Sequence, residues 1–92
     1  MTIYKSTGTV EMFPQKGGWT YVRVPKRITK ELQHRLEWGL IPIIATVGKT
    51  SWNTSLLPMG DGTHFIALNK KVRNKEHIEL GKKVTVSFVL RG

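Results

Sequence analysis

The stretch SLLPMGDGTHFIALNKKVR, residues 55–73, holds a proline, three apolar runs, two glycines around the chain's single aspartate, and then Lys70, Lys71 and Arg73. Read by periodicity it is a strand, a tight turn at 58–62, a second strand at 63–68, and a helical turn at about 69–75. Gly60 and Gly62 suit a turn because glycine takes positive φ without steric cost. Asp61 is expected to cap that turn through its own side chain. No helix follows the glycines directly, so the pattern is turn geometry rather than a phosphate loop. The expected register pairs Leu57 with Thr63, and the turn is expected to set the basic segment beside it at a barrel rim.

Toward the N-terminus, residues 3–12 and 19–24 read as a hairpin around the Pro14 and glycine punctuation of FPQKGG. In WTYVRV, Trp19, Tyr21 and Arg23 share one face, and Thr20, Val22 and Val24 the other. The period then lengthens: Ile28, Leu32 and Leu36 recur every four residues. This predicts an amphipathic helix at about 29–38, with Thr29 as N-cap, a Glu31–Arg35 pair, Trp38 as a lid on the core and Gly39 as the stop. Residues 41–57 read as a second hairpin with its turn at Gly48. The last strand alternates, directing Val84, Val86, Phe88 and Leu90 inward and Thr85 and Ser87 away.

Six short strands in 92 residues cannot form an open sheet with a well-covered core. The prediction is a mostly β, closed or nearly closed six-stranded barrel, one domain over residues 1–92, with the helix plugging one end. No internal repeat or low-complexity segment interrupts it.

Composition narrows the function classes. The chain has no cysteine, which removes disulfides, thiolate nucleophiles and sulfur-ligated zinc. The longest apolar run, LIPIIATV, falls far short of a membrane span, and the first residues carry no secretory pattern. A cytoplasmic protein with no membrane partner is expected. Fifteen Lys and Arg against six acids leave a net charge of +9, which favours anionic partners.

GGWTYVRVP at 17–25, the helix after it, TSLLPMGDGTHFIALNKKVR at 54–73 and ELGKKVTVSFVL at 79–90 carry a resemblance that spans nearly the whole chain. They resemble the bacterial and archaeal small-barrel domain of unknown function that often sits beside the YdeI/OmpD-associated, bacteriocin-protection domain. The resemblance implies a compact closed barrel and no particular chemistry. Two positions depart from the family pattern: Gly81 is followed by Lys82 rather than Asp, and Asn53 stands where a basic residue is common.

Little in the chain points to catalysis. Only Glu11 and Asp61 lie near candidate pocket elements, and no carboxylate pair is implied. A hydrolase reading would combine Ser55, His64 and Asp61, but the expected register puts Ser55 and His64 on opposite faces. His34, His64 and His77 have no metal-ligand spacing, so neither metal nor cofactor is expected. The remaining feature is cationic. Lys70 and Arg73, three apart, share a helical face and are expected to converge with Trp19, Tyr21 or Arg23 as donors beside a stacking surface. This favours a non-enzymatic module binding an anionic small ligand or nucleic acid at one barrel end. The alternative is a protein–protein interaction domain using Leu57, Met59 and Phe13. Oligomeric state is left open by the sequence.

Overall fold

The computed structural model describes residues 2–14, 18–32 and 40–91. Its elements run β1 (Tyr4–Thr9), β2 (Glu11–Met12), β3 (Thr20–Val24), α1 (Lys26–Glu31), β4 (Ile41–Val47), β5 (Thr50–Pro58), β6 (His64–Ala67), α2 (Lys70–Glu76) and β7 (Lys83–Leu90). All strand pairs are antiparallel, in the order β1-β7-β4-β5-β6-β3-β2. The first and last strands of that order are consecutive in the chain, joined through Val10 alone. A single extended segment therefore borders both ends of the sheet and curls it into a nearly closed barrel.

That segment accounts for the seven strands among the described residues where six are expected. Its first half pairs with β7, Tyr4 opposite Phe88 through Thr9 opposite Lys83. At Val10 the ladder changes partner: Val10 N donates to Lys82 O at 2.8 Å and Gly81 N donates to Val10 O at 2.9 Å. Glu11 then faces Tyr21 and Met12 faces Thr20. Among the described residues, the expected hairpin between the first two segments is thus formed only next to its turn. Inside the seam, the fully buried Ser6 hydroxyl donates to Arg23 O at 2.9 Å, tying β1 to β3.

The core follows the alternation. Val22 and Val24 of β3, Ile41, Ile43 and Ala45 of β4, Leu56, Ile66, and Val86 and Phe88 of β7 are all buried and form one cluster. Val84 and Leu90 pack against it from the ends of β7, as the period-2 pattern predicts. Phe88 stacks on Tyr4, ring centroids 5.3 Å apart.

The helix needs a correction. It begins at Lys26, with Pro25 in the N-cap position at φ −55°, rather than at Thr29. Ile28 N and Thr29 N both donate to Pro25 O, so the first turn is already wound before Thr29 is reached. A proline's restricted φ suits the start of a helix, and Thr29 is buried in it instead of capping it. Ile28 and Leu32 are buried as expected. The expected continuation through Leu36 and Trp38, with the Glu31–Arg35 pair and the Gly39 stop, lies outside the described residues. The helical turn expected at 69–75 is α2, Lys70–Glu76, capped by the Asn69 side chain, which accepts from Val72 N at 2.9 Å.

Candidate functional site

β3 and β6 run side by side, and α2 leaves the end of β6 where β3 begins. Leu68 N donates to Thr20 O at 2.8 Å, carrying the pairing one step past the ladder. Val72, buried, docks the inner face of α2. Arg73 sits one turn beyond the cap, with its backbone N donating to Asn69 O at 3.0 Å and its side-chain Nε donating to Leu68 O at 3.0 Å. The guanidinium is consequently held at the root of the helix while its other N–H donors remain for a ligand.

Trp19, Lys70 and Arg73 line one concavity of about 410 Å³, with Thr20, Ala67 and Asn69 contributing to its floor and wall. Trp19 is 56% exposed, a large apolar ring left at the surface. No acidic side chain lines this concavity among the described residues. Cations and an indole separated by some fifty positions in the chain are brought together because β3 and β6 are neighbours, a pairing that sequence reading does not supply by itself.

Tyr21 and Arg23 do not line it. They share the outer face of β3 with Trp19 but have separate surroundings. Tyr21, 4% exposed, stacks on Phe13 at 4.2 Å between centroids, and both rings meet Phe65 edge-on. Arg23 pairs with Glu11, Nε to Oε2 at 3.0 Å, on an exposed surface where such a pair contributes roughly 0–1 kcal/mol. The carboxylate holds the Arg23 guanidinium above its ordinary pKa, through the hydrogen bond first and its charge second.

The other candidates separate cleanly. The register is Leu57 opposite Phe65 and Pro58 opposite His64, two residues offset from the expected pairing because the turn occupies residues 59–63 rather than 58–62. An even offset preserves faces. Ser55 pairs with Pro42 on the outer face, whereas His64 is buried opposite Val24 on the inner one. The barrel wall therefore stands between Ser55 and His64, and the hydrolase constellation is not assembled. Asp61 caps its turn as expected, accepting from Thr63 N at 3.0 Å and from the Thr63 hydroxyl. Those two bonds, the hydroxyl first, hold its carboxyl below the usual carboxylate range.

The turn does not stand beside the basic cluster. β6 separates them, with the turn at one end and α2 at the other. Asp61 and Gly62 instead border Lys26 and Lys30 of α1. Leu57, Met59 and Phe13, the residues of the docking alternative, are each half buried, and Phe13 is engaged in the ring cluster. Among the described residues no group of three His, Cys, Asp or Glu side chains is arranged to hold a metal ion. No helix among them is long and apolar enough to cross a membrane.

The fold and the concavity define a small antiparallel barrel with a cationic, tryptophan-walled recess at its rim. The chain belongs to the family described as Domain of unknown function (DUF1905), whose model matches residues 7–88. No curated protein matches the chain.

Proposed function

We propose that this protein is a non-enzymatic binding module for an anionic ligand, held in the rim recess by Lys70 and Arg73 against Trp19. The observation that carries the reading is the common recess itself: two cations of one helical face and an exposed indole line it, and no acid among the described residues does. Charge-assisted hydrogen bonds from a guanidinium and an ammonium are strong and selective for oxyanions. The anchoring of Arg73 Nε on Leu68 O supports the reading further, because a donor held in place loses less entropy on binding. The net charge of +9 would draw anions toward the whole surface. The recess gives that attraction a destination.

The test holds charge constant. Lys70→Gln with Arg73→Gln removes two positive charges, as does Lys5→Gln with Lys83→Gln, both exposed and outside the recess lining. Binding of inorganic pyrophosphate at fixed ionic strength is expected to weaken about tenfold or more in the first variant and far less in the second. Equal losses would show that only net charge matters. Arg73→Lys, which keeps the charge and abandons the fork, is expected to fall between.

A further inference from the structure

The recess is built for more than an anion. We infer that its ligand is a nucleotide unit, with a planar base stacked on Trp19 and its phosphate held by Lys70 and Arg73; this rests on the anion-binding reading above. Three observations converge. The first is the indole: Phe13, Tyr21 and Phe65 satisfy one another in a ring cluster on the same outer face, while Trp19 makes no ring contact among the described residues and remains 56% exposed. A ring surface of that size left open beside two cations matches a ligand that is flat at one end and charged at the other.

The second is size. About 410 Å³ lies toward the small end of the roughly 300–1,000 Å³ typical of small-molecule sites. Thr20 and Ala67 contribute small side chains, so the space beside the indole is not filled from within. One nucleotide unit suits it, and a folded polymer does not. The third is the donor set. Lys70 and Arg73 carry donors only, the Asn69 NH₂ adds two more while its Oδ1 accepts from Val72 N, and no carboxylate of the described residues opposes them. A lining dominated by donors suits phosphate oxygens and the acceptor edge of a base.

Free nucleotides and the units of a single strand share this chemistry, and the measurement separates them. Four probes are titrated into the full chain while the Trp19 indole N–H and Arg73 Nε–H resonances are followed: ribose 5-phosphate, adenosine, adenosine 5′-monophosphate and a ten-nucleotide single-stranded DNA. The monophosphate is expected to bind about 5- to 150-fold more tightly than ribose 5-phosphate, the range of one base–aromatic stack. Adenosine alone is expected to be weaker than the monophosphate. Trp19→Ala should remove the gain, lowering affinity for the monophosphate far more than for ribose 5-phosphate, and Trp19→Phe should restore part of it.

If the oligonucleotide exceeds the monophosphate by more than the number of units it offers, the ligand is a single strand; if it does not, the ligand is the free nucleotide. Equal affinities for ribose 5-phosphate and the monophosphate, or equal losses for both in Trp19→Ala, would overturn the nucleotide assignment and leave the anion site standing. Absence of any shift at Arg73 with every phosphate probe would instead remove the anion site, and this inference with it.

Discussion

Two tight turns of this barrel use the same backbone device and have opposite surroundings. Gly48 joins β4 to β5 at φ +56°, and Gly62 leads into β6 at φ +90°. A Cβ added at Gly48 would overlap Glu76 of α2, whereas one added at Gly62 would meet no described atom within 4 Å. The Glu76 carboxylate also accepts from the Thr50 hydroxyl at 2.6 Å. The turn far from α2 in sequence is thus the one that braces it, and the turn nearest in sequence merely reverses the chain. Gly48 serves conformation and packing together; Gly62 serves conformation alone.

Gly48→Ala should therefore have the largest effect. It combines a left-handed backbone cost of about 1–2 kcal/mol with displacement of Glu76 from Thr50, a partly buried bond of about 1 kcal/mol, for a total of about 2–3 kcal/mol in denaturant unfolding. It should also shift amide resonances throughout α2, including Lys70 and Arg73. A stability loss with α2 undisturbed would break the comparison.

Gly62→Ala comes next, at about 1–2 kcal/mol from backbone strain alone. Its resonance changes should stay within residues 58–64. Spread of those changes to α2 would show that the two turns are equivalent after all.

Thr50→Val isolates the brace without touching the backbone. Removing the hydroxyl donor from Glu76 should cost about 1 kcal/mol, and pyrophosphate affinity should fall because α2 is less firmly held. Unchanged hydrogen exchange in α2 would mean that Glu76 carries no positional load.

The smallest effect is electrostatic and belongs to the unbraced turn. The Asp61 carboxyl is held below its ordinary pKa by the Thr63 hydroxyl and Thr63 N–H. A depressed folded-state pKa stabilises above the unfolded-state value, and that contribution is lost as pH falls through the folded value. Carboxyl chemical shifts followed from neutral to acid pH should place the Asp61 midpoint low, and Thr63→Val should raise it part of the way, since the backbone donor remains. A midpoint unaffected by Thr63→Val would assign the depression to another cause.

The same division runs through what was legible in the chain. Alternation in residues 83–90 identifies the inward set because side chains of a strand change face at every residue, and the pairing across Gly48 follows from adjacency. Lys70 and Arg73 share a face by helical period. The cap at Asn69 and the start of α1 at Pro25 depend on which of several adjacent polar or constrained residues takes the boundary, and there the expectation for Thr29 fails.

Local order in the chain is enough for the strand segments, their inward faces, the reversal at Gly48 and the cationic pair on α2. Each depends on neighbours within a turn or two of helix or one hairpin. Folding as a whole settled that the first strand changes partner at Val10, that Trp19, Tyr21 and Arg23 of one face enter three different environments, and that the turn at Gly48 braces α2 through Glu76. Those outcomes rest on contacts between segments tens of residues apart. Such contacts are selected by closing the sheet and filling one shared core, and no local period records which partner a closed barrel will supply.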